Sequence, residues 1–154
     1  MQISYLAEYP EFVPALASGL LEQWRWITPE LTLADRTAKL EAHLNRDALP
    51  IAWVAHSDGQ LLGTAALRVH DLEGREDLTP WLGGVWVTLQ HRNQGVGAAL
   101  CAVVEDKARA LGYDELFLFT LDRQAWYAAL GWGAPEPTRW RGHPGTIMRK
   151  RLAA

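Results

Sequence analysis

The stretch Trp81–Leu100, "WLGGVWVTLQHRNQGVGAAL", decides the fold. Its first half is apolar and reads as a strand over "WLGGVWVT". Glycines inside a strand mark a bulge or a close approach by another backbone or a ligand, so Gly83-Gly84 is a bulge candidate. Its second half, Arg92-x-x-Gly95-x-Gly97, leads into a helix expected from about Gly95 to Leu111. Val96, Leu100, Val103 and Leu111 define the buried stripe of that helix, and Gly112 fits its C-terminal cap. "ELFLFT" (Glu115–Thr120) follows and is apolar on both faces, as a central strand covered on both sides requires. The crossover between the two strands is long enough to make them parallel.

Working outward, Ile3–Leu6 is a short strand, and "PEFVPALASGLLEQW" carries Phe12, Leu16, Leu20 and Trp24 on one helical face. Thr32 starts a second helix, its hydroxyl capping the first amides with Asp35 three residues on. "IAWVAH" and "LLGTAALRV" flank the turn "SDGQ" and read as an antiparallel hairpin. "HDLEGREDLTP" is a polar loop with four acids. After "ELFLFT" come a short helix, "RQAWYAAL", and a last strand near "GTIMRKRL". The order is a strand, two helices, a hairpin, then β-α-β-α-β. That makes the fold α/β in the broad sense, a mixed, mostly antiparallel sheet with a central parallel β-α-β unit and flanking helices.

The bulk properties bound the function. With 154 residues, 49% apolar and 21% charged, the chain fits one globular domain over 1–154. A net charge of −3 gives no general attraction to nucleic acid. One cysteine, Cys101, excludes an internal disulfide and a cysteine-based zinc site, and the five histidines show no ligand spacing. No metal is expected. The N-terminus carries no secretory pattern and no run has membrane length, so a cytoplasmic protein without membrane contact is expected.

The glycine loop has a physical use. The first amides of a helix lack intrahelical partners, and with the helix dipole they make a seat for an anion. A P-loop needs Lys and Ser/Thr where Ala98 and Ala99 stand, and a dinucleotide fingerprint needs a third glycine where Leu100 stands. A helix start that binds nothing remains the bland alternative on this motif alone.

The context extends the reading. Arg92-x-x-Gly95-x-Gly97 after a strand ending in Val87, followed by a helix, a strand and "WYAALGW", resembles the GNAT superfamily of acyl-CoA-dependent N-acyltransferases. Tyr127, Gly131 and Trp132 match that family's Tyr-x-x-x-Gly-aromatic element. The resemblance implies an acetyltransferase that moves an acetyl group from acetyl-CoA to a primary amine by direct attack. It implies that Arg92, Asn93, Gln94, Gly95, Val96, Gly97 and Ala98 receive the coenzyme A pyrophosphate, and that the backbone of Val85, Trp86 and Val87 meets the thioester. Tyr127 is the implied acid for the departing thiolate, since a phenol with a pKa of about 10 is protonated at pH 7. Trp126 beside it is expected in the core. Many relatives carry an asparagine where this chain has "TLDRQAWY", so Thr120 and Asp122 are the cofactor contacts expected there.

The acceptor side is less legible. Family resemblance places it among "WRWITPE", "HDLEGREDLTPW" and "TRWRGHPG", with Trp26, Asp71 and Trp81 as candidate substrate residues and Trp24 and Trp140 as further walls. Glu73, Glu76, Asp71, His70 and His143 are all candidates for the base. The acceptor is a small-molecule or peptide amine, and the chain is expected to act as a monomer or homodimer. The rival from another class is an acyl-CoA-binding sensor or interaction module without turnover. A nucleotide-phosphate binder is a third reading.

Overall fold

The structure, a computed structural model, describes residues 1–152. β1 (Gln2–Tyr5) is followed by two short 3-10 turns, then α1 (Val13–Trp24) and α2 (Leu33–Glu41). β2 (Ile51–Ser57) and β3 (Gln60–Arg68) form the expected hairpin, closed by Asp58 (φ 50°) and Gly59 (φ 77°). β4 (Trp81–Val87), α3 (Val96–Ala110) and β5 (Glu115–Thr120) form the β-α-β unit. α4 (Gln124–Ala129), β6 (Gly133–Trp140) and β7 (His143–Arg151) complete the order.

The seven strands form one sheet in the order β1-β2-β3-β4-β5-β7-β6. Every pairing is antiparallel except β4–β5. Both faces are covered, which explains the unbroken apolar run of β2. Ile51, Trp53 and Ala55 pack with Val96, Leu100 and Val104 of α3, while Ala52 and Val54 pack with Leu16 and Leu20 of α1 and Leu40 of α2. Burying each such leucine contributes about 1.5–3 kcal/mol relative to leaving it exposed.

The capping box at Thr32 forms as expected, with Asp35 N donating to Thr32 Oγ1 at 3.1 Å and Thr32 N to Asp35 Oδ2 at 2.8 Å. Gly112 (φ 91°) ends α3 as expected. Three local expectations need correction. Leu111 is 39% exposed and Val103 only half-buried, because the buried stripe of α3 turns instead through Cys101, Val104 and Ala108. Phe12 lies ahead of α1 in a 3-10 turn, and Val13 and Ala17 share the buried face with Leu16 and Leu20. The strand β6 was not expected at all, since "GAPEPTRW" holds two prolines. β6 sits at the sheet edge, where a proline removes no needed ladder bond.

β4 carries the predicted bulge. Thr64 of β3 faces Trp86 and Ala66 faces Gly83, so β4 has one residue more than its partner across that step, and Gly84 takes φ 60°. On its other side β4 meets β5 in register only at Trp81 and Phe117. From there to Val87 the two strands part. The gap between them opens the cleft.

Candidate active site

A cleft of about 530 Å³ runs between the parted ends of β4 and β5, the start of α3, the start of α4 and the α1–α2 side. It brings together residues from most of the chain, and it divides into two halves with different chemistry.

The first half is built by the glycine loop. Asn93 (φ 62°) and Gly95 (φ 83°) take left-handed backbone, a conformation open to glycine and tolerated by asparagine, and so turn the chain from β4 into α3. Ala99 N donates to Gly95 O at 3.1 Å, so the amides of Val96, Gly97 and Ala98 ahead of it have no intrahelical acceptor, and all three residues line the cleft. A Cβ on Gly95 would meet nothing within 4 Å, so the seat is open there. The Arg92 side chain turns back, donating from Nε to Val87 O at 3.0 Å and from Nη2 to Gln23 Oε1 at 3.4 Å. It braces the loop against the end of β4. Gln94 donates to Gln90 O and is the one expected cofactor residue that does not line the cleft.

Val85, Trp86 and Val87 form one wall and Phe119 with Thr120 the other. The backbone of Val85–Val87 has no ladder partner on the β5 side, which leaves donors for a ligand carbonyl. Thr120 is buried, and its hydroxyl accepts from the backbone N of Arg123, the residue just ahead of α4, at 2.9 Å. Asp122 is exposed on the rim.

Tyr127 projects from α4 into the cleft with 9% exposure. Trp126 and Trp132 pack edge-on against its ring at 4.8 Å and 6.3 Å, fixing its direction. Burial pushes the phenol above its ordinary pKa, so it keeps its proton at neutral pH. The sequence placed Trp126 in the core, but it is 38% exposed; its ring covers Gly97, where a Cβ would lie 3.3 Å from Cη2.

The second half holds the acceptor-side candidates. Asp71 lines the cleft, as do Trp24 and Trp140. Trp26 stands outside the cleft lining, 59% exposed and edge-on to His143 at 5.1 Å. Trp81 is fully buried in a core cluster with Leu72, Phe117 and Ile147, and its Nε1 donates to Leu78 O at 2.7 Å. Of the five candidate bases, Asp71 alone lines the cleft; Glu73, Glu76, His70 and His143 are exposed elsewhere.

Sequence reasoning missed a basic group on this side. Arg36 and Lys39 reach the cleft from α2, and Arg68 from the end of β3. Arg68 Nη1 donates to Asp71 Oδ1 at 2.8 Å, and Nε donates to His43 Nε2 at 2.9 Å. The signal was present in part: Arg36, Lys39 and His43 stand at helical i, i+3, i+7 spacing. Their meeting with Arg68 requires the tertiary fold.

Among the described residues no group of His, Cys, Asp or Glu is arranged to hold a metal, and no helix is long and apolar enough to cross a membrane.

Known proteins resemble this chain in sequence and in fold. The rat N-acetyltransferase family 8 member 2 (Rattus norvegicus) is 37% identical over 102 residues, covering 65% of this chain. The match spans 43% of that relative's length, so the chain corresponds to less than half of it. In fold, the chain resembles the crystal structure of an aminoglycoside 6'-N-acetyltransferase complexed with coenzyme A, with a TM-score of 0.75 at 19% identity over 100% of this chain and 98% of that one. It resembles the aminoglycoside 6'-N-acetyltransferase from Enterococcus faecium with a TM-score of 0.76 at 19% identity, over 100% and 98%. The model of the acetyltransferase (GNAT) family matches residues 14–132, from the second residue of α1 through the tryptophan that packs on Tyr127. The chain belongs to the acetyltransferase (GNAT) family.

Proposed function

We propose that the protein transfers an acetyl group from acetyl-CoA to a primary amine by direct attack in a ternary complex, with Tyr127 as general acid. One observation carries this reading. The cleft joins three unpartnered helix amides, an unpaired strand edge and a buried, protonated phenol in a single space.

When bound, acetyl-CoA supplies the thioester. The amides of Val96, Gly97 and Ala98 would hold its diphosphate, with the α3 dipole adding to the attraction. A backbone amide from Val85–Val87 donates to the thioester oxygen as negative charge grows there; one such preorganised donor contributes about 3–4 kcal/mol. Phe119 and the Trp126 ring help to keep water from the site. The amine nitrogen bonds to the acetyl carbon, the carbon–sulfur bond breaks, the amine gives up its proton, and the sulfur takes one.

Tyr127 serves the sulfur. Its raised pKa keeps the proton in place at any neutral pH and makes it a weak acid, so its work is to hydrogen-bond the thiolate as it forms. Asp71, which lines the acceptor side of the cleft, would accept the amine proton, directly or through water. Mass spectrometry tests direct attack. Incubation with acetyl-CoA and an amine should give the acetamide, and acetyl-CoA alone should leave no acetyl group on the protein. A stable acetyl-protein species would overturn the mechanism.

A further inference from the structure

The acceptor half of the cleft carries more positive charge than its own acids neutralise. Arg36, Lys39 and Arg68 all line it together with Asp71, while Asp122, the other carboxylate of the cleft lining among the described residues, stands exposed on the rim beside α4. Arg141 also lines it, but forms an ion pair with Glu30 at 2.6 Å.

The donors of the three cations are only partly used. Arg36 Nη2 donates to Thr28 Oγ1 at 3.1 Å, while its Nε is buried with no hydrogen-bond partner. Such an orphaned donor is costly unless a ligand meets it. Lys39 Nζ has no ion pair or hydrogen bond among the described residues. Arg68 uses Nε on His43 and Nη1 on Asp71, which leaves Nη2 facing Gly84.

The charges press on one another. The nearby Arg68 charge lowers the solvent-exposed Lys39 ammonium to about 8, and burial followed by Arg68 lowers the Arg36 guanidinium. With Asp71 paired to Arg68 and Glu30 acting on Arg36, the group still carries a net positive charge, which favours the arrival of an anion.

We propose that the acceptor is an amine bearing a carboxylate close to the reacting nitrogen, such as an α-amino acid or its side-chain derivative, with Arg36, Lys39 and Arg68 binding that carboxylate. This rests on the acetyl-transfer reading above. The location supports it. The Arg68 guanidinium lies on the bare backbone of Gly83 and Gly84, where a Cβ would sit 2.7 Å and 2.8 Å from its terminal nitrogens. Those glycines directly precede Val85–Val87. An anion bound there lies beside the strand edge proposed to meet the thioester, and an α-amino acid carries its nitrogen two bonds from the carboxylate carbon. A polycationic acceptor such as an aminoglycoside meets like charge in this pocket, despite the shared fold. A dianionic phosphate would be repelled by Asp71, which a monoanionic carboxylate tolerates better.

Matched amines test this. Thiol release from acetyl-CoA is measured over a panel of α-amino acids, their primary amides, phosphoethanolamine and an aminoglycoside, with wild type, Arg36→Gln and Lys39→Gln. The free acids should have kcat/KM roughly ten- to a hundredfold above their amides, the value of a charge-assisted contact. Each variant should raise KM for the acids by a similar factor, so that the preference for acid over amide narrows, and leave the coenzyme A Kd unchanged. A second readout is independent of turnover: calorimetric binding of N-acetyl amino acids and of their amides to the protein–coenzyme A complex. Tighter binding of the acids, lost in the variants, supports the proposal even if no amine is turned over, in which case only the acetyl-transfer reading fails. Amides equal to acids in both readouts, or preference for phosphoethanolamine or the aminoglycoside, would overturn it.

Discussion

His43 holds Arg68 in place: its Nε2 lies 2.9 Å from the guanidinium Nε, which can only donate, so the imidazole accepts there. Its Nδ1 therefore bears the proton and donates to Lys39 O at 2.6 Å. The imidazole is neutral, and its buried site keeps it so. Burial and then the Arg68 charge lower its pKa to about 4, with Lys39 pressing the same way and the Lys39 carbonyl and Asp71 opposing.

That depression makes folding acid-sensitive. The unfolded chain, with an imidazole pKa near 6.5, binds a proton that the folded chain refuses. The His43 contribution is whole above about pH 6.5 and is lost as the pH falls toward 4. Between pH 7 and pH 5 it costs about 2 kcal/mol of stability. Urea unfolding at the two pH values measures this, and His43→Gln should flatten the difference by about that amount. An unchanged slope in the variant would assign the acid sensitivity to other groups.

Gly84→Ala strikes the bulge and the guanidinium together. The new Cβ requires φ 60° in a non-glycine residue and stands 2.8 Å from Arg68 Nη2. Denaturant unfolding should show a loss of about 1–2 kcal/mol. Acceptor KM should rise while the coenzyme A Kd stays within about twofold, as the glycine loop lies beyond the bulge.

Gly97→Val addresses the anion seat. Its side chain meets the Trp126 ring, which is exposed and can shift, so the fold should survive. The displaced ring and the added methyls crowd the amides of α3, and calorimetry should show the coenzyme A Kd raised roughly tenfold or more. Unchanged affinity would remove the cradle.

Cys101 should be silent toward thiol reagents in the native protein. It is 1% exposed in the core, and burial followed by the charge of Glu105 pushes its thiol up to about 12. Ellman's reagent should titrate one thiol only after denaturation. Fast native reaction would show that the core opens around α3.

The elements of this fold were legible where one local pattern set them. The Thr32–Asp35 box, the Asp58-Gly59 turn and the strand–glycine–helix run each state their own geometry within a few residues. β6 was hidden because Pro135 and Pro137 argue against a strand unless its edge position is known. Trp126 and Trp81 were misplaced because residue type cannot tell which side of a short helix or strand faces the core. The glycine loop and Tyr127 were readable as motifs. The basic group was not, because Arg36 and Lys39 look like a solvated helix face until the end of β3 brings Arg68 into the same cleft.

In the proposed function the glycine loop and Tyr127 form one acetyl-transfer site. The direct measurement is thiol release from acetyl-CoA in the presence of amino-acid acceptors, wild type against Tyr127→Phe, with the coenzyme A Kd of both measured by calorimetry. The expected result is wild-type turnover, a fall in kcat of roughly a hundredfold or more in the variant, and Kd values equal within about twofold. Equal kcat in the two proteins would remove Tyr127 from the chemistry. Firm coenzyme A binding without release for any amine would make the protein a sensor, and ATP competing as well as coenzyme A would contradict the reading of the loop itself.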